Sequence, residues 1–262
     1  MSAIIGRRML VATRIHSGNA SKMANITDIV AFANSCKTFA SHILLCISCG
    51  DSFEHSSYLQ SVKSRLSAEG LDCVTSVLPI TPWGRFTTAL NAAILYAVTG
   101  KYEYIAFQSL EFRISDADVS SLFEVLTNKI ENVLVVGPVL PGHHFTPGAN
   151  VVLRGRTCPW NTFAIWVTSR LALTGFPMVG DGIDSSENGG VEEVTAINLL
   201  QLINPKLQCI LVKTREIEWN VDFDDPERLA YHEKKMKSKD ERPQTQLTLL
   251  NIPHGNVSHM CM

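Results

Sequence analysis

The chain alternates between short, continuously apolar runs and longer segments whose apolar residues recur at helical spacing. Runs of about 4–8 apolar residues indicate buried strands, and the longer segments indicate helices. Alternation of this kind predicts an α/β fold, a mainly parallel sheet with helices on both faces. The predicted strands are Met9–Ile15, Ile43–Ser48, Cys73–Leu78, Tyr102–Phe107 and Asn132–Gly137, and the predicted helices are Ile26–Ala40, Ser56–Glu69, Thr88–Val98 and Asp116–Asn128.

The stretch from Pro82 to Phe112 is the most informative part of this pattern. Its helix is apolar on almost every side except at Asn91, which predicts packing on both faces. Gly100 ends the helix, and a buried strand follows that leaves Glu111 at its exit. Ligands bind at the carboxyl ends of strands in open α/β sheets, so a ligand site is expected near Glu111.

The order of these features resembles the family 2 glycosyltransferases of the GT-A fold, which are nucleotide-diphospho-sugar transferases. In that family a glycine and a basic residue precede a helix that carries an asparagine, and the next strand ends in an Asp-x-Asp motif. Gly84, Arg85 and Asn91 match the first elements, while Ser109 and Glu111 stand where the two aspartates would be. The resemblance implies a Rossmann-type GT-A-like sheet and a donor site formed by these residues.

The altered motif bears on the metal that such enzymes use. A divalent cation prefers several oxygen ligands, and here one carboxylate is replaced by a hydroxyl. Mn²⁺ or Mg²⁺ would therefore be held weakly, by Glu111 and the phosphates of the ligand. Some GT-A enzymes add a ligand from their C-terminal part, for which His232, His254 and His259 are equal candidates. The alternative is that Glu111 is a solvated loop residue.

The resemblance also assigns roles to the exits of the first two strands, which hold the base and the ribose in GT-A enzymes. Thr13 and Arg14 occupy the first exit, and Asp51 and Ser52 the second. Asp51 can accept a hydrogen bond from an N–H on the base edge, and Ser52 can serve the ribose. The alternative for Asp51, which follows Gly50, is a plain turn.

An acidic pair, Glu192 and Glu193, opens a predicted helix downstream of Gly175 and Phe176, and this order also resembles the family. In inverting members such a carboxylate takes the proton of the acceptor hydroxyl. The helix dipole stabilises acids at this position without any catalytic role, which is the alternative. Adjacent helical residues point about 100° apart, so one of the two is expected to face the cleft. The apolar spacing that follows favours Glu192 and places Glu193 nearer a packed flank.

Aromatic residues between these two motifs are candidates for an acceptor subsite. Trp160 lies in a predicted loop, so we expect it to be exposed and to stack on a sugar acceptor. Trp166 lies in a strand-like run and is expected in the core. His143 and His144 share a loop, where they would contact phosphate or metal, or simply be solvated.

Composition excludes several other classes of protein. The net charge of -2, without a basic stripe, argues against nucleic acid as a partner. The longest apolar run, Ile43 to Ile47, is far below the roughly 20 residues of a membrane helix. Seven cysteines without a small-domain framework predict a reducing, cytoplasmic location. Among them Cys46 and Cys49 form a CxxC, which we interpret as buried strand thiols rather than a redox or metal half-site.

The predicted organisation is one domain with two flanking segments. Residues 1–8 are a disordered or targeting remnant, residues 9–218 the transferase domain, and residues 219–262 a charged C-terminal helix and tail. The helix is expected over Asp225–Arg242, capped by Asp225. Met1–Thr27 contains no acid and four basic residues, a composition typical of organelle transit peptides, so import is the alternative location.

Three functions are compatible with these patterns. The first is transfer of a sugar, with inversion, from a nucleotide-sugar donor to the hydroxyl of an acceptor that the sequence does not identify. The second is a GT-A-like binding or scaffold protein that has lost catalysis with its Asp-x-Asp motif. The third is a nucleotidyltransferase of the same architecture, although the first strand exit lacks a glycine-rich phosphate-binding signature.

Overall fold

The computed structural model describes residues 8–16, 23–50, 52–182, 189–215, 217–219, 230, 233–234 and 236–262. This part of the chain contains eleven strands and seven α-helices. The strands are β1 Met9–Ile15, β2 His42–Ser48, β3 Thr75–Ile80, β4 Tyr104–Gln108, β5 Phe112–Ile114, β6 Val133–Pro138, β7 Asn150–Val152, β8 Phe163–Val167, β9 Gln208–Lys213, β10 Ile217–Trp219 and β11 Asn256–Cys261. The helices are α1 Ile26–Cys36, α2 Phe53–Ala68, α3 Thr87–Thr99, α4 Asp116–Glu124, α5 Thr168–Leu171, α6 Glu192–Ile203 and α7 Glu241–Leu250.

The main sheet contains nine strands in the order β3-β2-β1-β4-β8-β6-β9-β11-β7, and β5 pairs with β10 in a separate ribbon. Strands β8 and β7 run antiparallel to their neighbours, and all other pairs in the main sheet are parallel. The predicted α/β class and mainly parallel sheet are confirmed. The carboxyl ends of β1, β2, β3 and β4 therefore lie side by side along one edge.

Strands β1 and β2 are buried along almost their whole length because helices cover both faces of the sheet. In β2, Ile43 to Ile47 are all fully buried, and the same holds for Met9 to Val11 in β1. Helix α3 packs against β1 through β4, which explains why its sequence is apolar on most sides. The strand and helix pattern of the sequence thus follows directly from double-sided burial.

Element boundaries differ from the predictions where caps and turns decide them. Helix α2 begins at Phe53, earlier than predicted, because Ser52 caps it by accepting a hydrogen bond from the His55 backbone N–H. The predicted strand Cys73–Leu78 is shifted to Thr75–Ile80. The helix predicted over Asp116–Asn128 changes at Val125 into a short π-helical turn.

The segment after residue 218 contributes to the main sheet. Strand β11, which the sequence pattern did not predict, lies between β9 and β7. Asp225 and much of the predicted helix Asp225–Arg242 lie outside the described residues, and α7, Glu241–Leu250, begins only at the end of that range. The domain limits, the N-terminal remnant and the cytoplasmic location stay predictions. Among the described helices, none is long and apolar enough to cross a membrane.

Candidate functional site

Arg14, near the carboxyl end of β1, joins three segments that are distant in sequence. Its Nη1 donates a hydrogen bond to the Phe86 carbonyl oxygen at 2.8 Å. The same nitrogen lies 3.2 Å from Oε1 of Glu192, at the start of α6. The structure therefore brings the first strand exit, the loop before α3 and the acidic pair together at the edge where ligands bind.

Thr13, the neighbour of Arg14, does not share this position. Its side chain is buried within β1, and its hydroxyl has no hydrogen-bond partner among the described residues. Side chains of consecutive strand residues point to opposite faces of the sheet. The predicted contact of Thr13 with a nucleotide therefore gains no support from this arrangement and stays a prediction, and Arg14 is the better placed of the two.

The acidic pair occupies the first turn of α6, as the sequence predicted. Both side chains are buried, with Glu192 3% and Glu193 6% exposed. Glu193 Oε1 accepts a hydrogen bond from the Asn161 backbone N–H at 2.5 Å, so this carboxyl faces the packed β8 side while Glu192 faces Arg14. The preference for Glu192 as the residue facing the site agrees with this arrangement.

Burial has a marked effect on Glu193. Loss of solvation, and then repulsion from Glu192, raises the pKa of Glu193 to about 7, while Lys239 and the Asn161 N–H act in the opposite direction. Burial and a neighbouring carboxylate both favour the neutral form of a carboxyl group. Glu193 therefore changes its protonation state near neutral pH.

Asp181 organises the loop that contains Gly84 and Arg85. Its Oδ1 accepts hydrogen bonds from the backbone N–H groups of Phe86 and Thr87, both at 2.7 Å, and its Oδ2 accepts one from the Thr87 hydroxyl at 3.0 Å. Arg85 Nη1 donates to the Asp181 carbonyl at 2.9 Å. Asp181 thus caps α3 from a distant segment. This role was not predicted from the sequence, in which the only signal is a loop rich in Gly and Asp.

Gly84 is required by the conformation of this loop. Its φ is +67°, and a Cβ atom at this position would collide with the Thr88 side chain. Only glycine adopts such a conformation without strain. Arg85, the next residue, is exposed, with its guanidinium bound to the Asp181 carbonyl.

Asn91 connects two of the motifs that carry the resemblance. Its Nδ2 donates to the Phe176 carbonyl at 2.9 Å, and its Oδ1 accepts from the Phe176 N–H at 2.8 Å. Gly175, with φ +61°, lets the chain pass close to this amide. Asn91 therefore shapes the site by holding the Gly175–Phe176 loop, and its predicted contact with a donor stays a prediction.

The second strand exit is described only in part. Asp51 lies outside the described residues. Ser52 caps α2, and its hydroxyl lies 2.8 Å from Nδ1 of His55. The Ser52 hydroxyl is thus hydrogen-bonded to His55 in the first turn of α2, at the same edge of the sheet. Contacts of Asp51 and Ser52 with base and ribose stay predictions.

Ser109 and Glu111 form the turn between β4 and β5. The Ser109 carbonyl accepts a hydrogen bond from the Phe112 N–H at 3.1 Å, and Glu111 is exposed. Strands β1 and β4 pair Ala12 with Phe107, so continuing this register places Ser109 beside Arg14. The Ser-Leu-Glu turn therefore lies at the same edge as Arg14.

The weak metal binding predicted at this turn stays a prediction. No group of three His, Cys, Asp or Glu side chains that could hold a metal occurs in the part of the chain that the structure describes. The ring nitrogens of His254 contact the Leu153 carbonyl and the Gln244 side chain. Those of His259 contact the Thr146 N–H and the Thr157 carbonyl, and His232 lies outside the described residues.

Trp160 is part of the core, so the prediction that it is exposed at an acceptor subsite is wrong. Its side chain is 1% exposed, and its Nε1 donates to the Gly155 carbonyl at 2.5 Å. Lys239 Nζ lies 2.9 Å from the centre of the indole ring. Lys239, in the C-terminal segment, thus covers the loop that carries Trp160. The local sequence around Trp160 carries no signal of this long-range contact. Trp166 is fully buried, as predicted.

His143 has a structural role. Its Nδ1 accepts from the Leu140 N–H at 2.7 Å, so Nε2 is the protonated nitrogen that donates to the Cys158 carbonyl at 2.8 Å. Desolvation, with a smaller contribution from Lys239, lowers the pKa of His143 to about 3. A neutral ring clamped in this way does not bind phosphate. The neighbouring His144 is exposed.

Comparison with known proteins bears on the architecture. No family profile and no curated protein sequence matches the chain. Glucosyl-3-phosphoglycerate synthase from Mycobacterium tuberculosis has a similar structure, with a TM-score of 0.55 and 10% identity over 98% of this chain and 88% of that one. The protein has the GT-A fold.

Two further solved structures show the same likeness. A mycobacterial protein gives a TM-score of 0.54 at 11% identity, covering 98% of this chain and 85% of that one. TarS from S. aureus gives a TM-score of 0.50 at 13% identity over 80% of this chain. The chain spans 59% of the TarS chain. At these sequence identities the structural similarity establishes the GT-A fold alone.

Proposed function

We propose that the protein is a glycosyltransferase that moves a sugar from a nucleotide-sugar donor to an acceptor hydroxyl. The observation that carries this proposal is the contact of Arg14 with both Phe86 and Glu192. It unites, at the carboxyl edge of a GT-A sheet, three segments that the family resemblance connects with donor binding and catalysis. A fold by itself does not determine function, so this geometry is the main support.

In the proposed complex the donor lies across the exits of β1, β2 and β4. Arg14 and Arg85 supply positive charge for the diphosphate, and Asp51 and Ser52 contact the base and ribose. Ser109 and Glu111 line the far side of the diphosphate. Solved structures of the synthase from Mycobacterium tuberculosis hold UDP-glucose, which makes uridine diphosphate sugars the first donors to test.

The proposed reaction inverts the anomeric centre. The acceptor hydroxyl oxygen attacks the anomeric carbon, its proton passes to the Glu192 carboxylate, and the bond from that carbon to the diphosphate oxygen breaks. The nucleoside diphosphate leaves with the bonding electron pair, and Arg14 and Arg85 stabilise its charge. Glu193, buried behind Glu192, is the second candidate for the base.

We assign no step to a protein-bound metal. Glu111 offers one exposed carboxylate, and both carboxylate oxygens of Asp181 are occupied by the cap of α3. The synthase structures do hold Mn²⁺ together with the donor. We therefore expect any dependence on Mn²⁺ or Mg²⁺ to be weak and to require the ligand phosphates.

A thermal-shift series tests the donor site. Uridine and guanosine diphosphates and their sugars are added with and without Mn²⁺, and one of them should raise the melting temperature, because it binds the folded state. Arg14→Ala should reduce this shift, whereas Arg65→Ala, which removes an exposed arginine paired with Glu69 on α2, should not. No shift at millimolar nucleotide would contradict the proposal.

A binding or scaffold protein without transferase activity is the second candidate. The burial of Glu192 in an ion pair and the single carboxylate at the β4 exit favour it. It predicts stabilisation by a nucleotide, but neither sugar transfer nor hydrolysis of any donor. An assay of donor consumption, which measures the release of nucleoside diphosphate, separates the two candidates.

A further inference from the structure

Helix α6 begins with an unusual backbone. Gly190 has φ +87° and Val191 has φ +59°, and no side chain caps the helix in the usual way. A β-branched residue strongly disfavours a positive φ, so another part of the structure must hold Val191 in place. Glu192 and Glu193 follow immediately, and their directions depend on this turn.

The Gly190 N–H donates a hydrogen bond to the Gly180 carbonyl at 2.7 Å, and two further hydrogen bonds that hold the turn come from side chains of α7. The Arg242 Nη1 donates to the Gly189 carbonyl at 2.6 Å, and the Gln246 Nε2 donates to the Gly190 carbonyl at 3.0 Å. Gln246 also accepts a hydrogen bond from the Thr195 hydroxyl of α6 at 2.6 Å. Gln246 is 1% exposed, and Arg242 is also buried. One buried side chain thus connects the turn with the helix that it starts.

The residues just before α7 reach the other side of the acidic pair. The Arg156 N–H donates to Oδ1 of Asp240 at 2.9 Å, which fixes this segment against the loop that carries Trp160. A side chain at Gly155 would collide with the Lys239 backbone. The charge of Lys239 acts on Glu193 and lowers its pKa, opposing the effect of burial. We refer to Lys239, Arg242 and Gln246 as the C-terminal clasp.

We propose that Arg242 and Gln246 are positioning residues for the carboxylates of Glu192 and Glu193. The inference rests on the proposed transfer reaction. Without the bonds to the Gly189 and Gly190 carbonyls, Val191 relaxes toward negative φ, and the first turn of α6 rotates the carboxylates away from Arg14 and Asn161. Turnover then falls, while the donor site at the β1, β2 and β4 exits is retained.

The test uses Gln246→Met, which keeps the side-chain volume and removes both hydrogen bonds. Gln244→Met, on the exposed face of the same helix, is the matched control. We expect Gln246→Met to lower kcat by at least tenfold with unchanged donor KM and unchanged nucleotide-induced melting shift. The control should match the wild type. An unchanged kcat, or equal effects of the two variants, would overturn the proposal.

A rescue experiment tests the role of the Val191 conformation. Glycine adopts positive φ as readily as negative φ, so Val191→Gly removes the conformational preference that the clasp opposes. The loss of kcat caused by Gln246→Met should be several-fold smaller in a Val191→Gly background. A loss of the same size in both backgrounds would contradict this mechanism. Thr195→Val, which leaves the bond to Gly190, should have a smaller effect than Gln246→Met.

Hydrogen exchange separates failure of this inference from failure of the proposed function. The backbone amides of residues 189–196 should exchange faster in Gln246→Met than in Gln244→Met, with other regions unchanged. If the wild type consumes no nucleotide sugar, the proposed reaction fails, yet this difference still supports the clasp. Equal exchange in the two variants refutes the clasp whether or not the protein is active.

Discussion

At the scale of single residues, the two glutamates at the start of α6 differ because of what surrounds each carboxyl group. Glu192 contacts a partly exposed arginine, whereas Glu193 accepts a backbone hydrogen bond in the interior. Adjacent positions on a helix diverge by about 100°, so one turn can present two different chemical environments. The sequence identified the pair and favoured Glu192, but the two environments come from residues far along the chain.

Glu192→Gln tests the catalytic role of this residue. The amide keeps the shape of the side chain but cannot take a proton, so turnover should fall by roughly a hundredfold or more while donor binding persists. Donor consumption and the nucleotide-induced melting shift are measured on purified protein. Unchanged turnover with a modest change in stability would instead identify a helix-dipole role.

Glu193→Gln tests the raised pKa. Unfolding lowers the pKa of Glu193 from about 7 to its ordinary value near 4.5, so only the unfolded chain is ionised between these values. The raised pKa therefore lowers the free energy of unfolding. This loss is absent below about pH 4.5, grows between about pH 4.5 and 7, and reaches its full value of up to about 3 kcal/mol above pH 7. Relative to the wild type, Glu193→Gln should therefore gain stability as the pH rises from 5 to 8.

Urea unfolding at several pH values measures this effect. Glu131→Gln, an exposed glutamate, is the control and should keep a constant difference from the wild type at every pH. If the difference between Glu193→Gln and the wild type is also independent of pH, Glu193 is ionised throughout the range and the raised pKa is refuted.

At the scale of elements, α3 shows how a helix start can depend on a distant segment. The first two N–H groups of the helix region, at Phe86 and Thr87, are bound by the Asp181 carboxylate rather than by a neighbouring side chain. The four first N–H groups of a helix need partners, and a cap usually lies next to the helix in sequence. A capping residue 94 positions away leaves no local signature.

Asp181→Ala tests this cap. Loss of three hydrogen bonds at the start of α3 should lower the free energy of unfolding by about 1–2 kcal/mol. The donor-induced melting shift should fall as well, because Arg85 and Gly84 belong to the same loop. Asp181→Asn keeps one acceptor oxygen and should lie between the alanine variant and the wild type. Equal stability of all three proteins in urea would contradict the cap.

At the scale of the whole molecule, the C-terminal part of the chain completes both the sheet and the candidate site. Strand β11 pairs with β9 and β7, and α7 supports the start of α6. Val257 and His259 of β11 are buried. Strand β11 therefore belongs to the same sheet as the first strand, β1.

A truncation tests this dependence. A chain that ends at Gly255 lacks β11, which leaves an edge of β9 open and β7 without its partner. We expect this variant to show no cooperative thermal transition, whereas removal of Met262 alone, which is exposed, should leave the melting temperature unchanged. A transition within a few degrees of the wild type in the shorter chain would show that β11 is dispensable.

The sequence by itself determined the α/β class, most strands of the sheet and the edge at which Arg14, Arg85, Glu111 and Glu192 lie. These features are local, because a strand covered on both faces must be continuously apolar and a helix between strands must carry an apolar stripe. Short polar segments after such runs then mark the carboxyl edge of the sheet, where we expect the ligand. For this reason β1 agrees with its predicted limits at both ends.

Only the tertiary structure decided the burial of Trp160, the capping role of Asp181 and the position of β11 in the sheet. Trp160 is buried because Lys239 lies over its ring, and Asp181 caps a helix that begins far upstream. Strand β11 is partly polar, and its place in the sheet depends on β9 and β7 on either side. Each of these contacts joins distant segments, and the local pattern of a sequence carries no information about which distant segment will cover it.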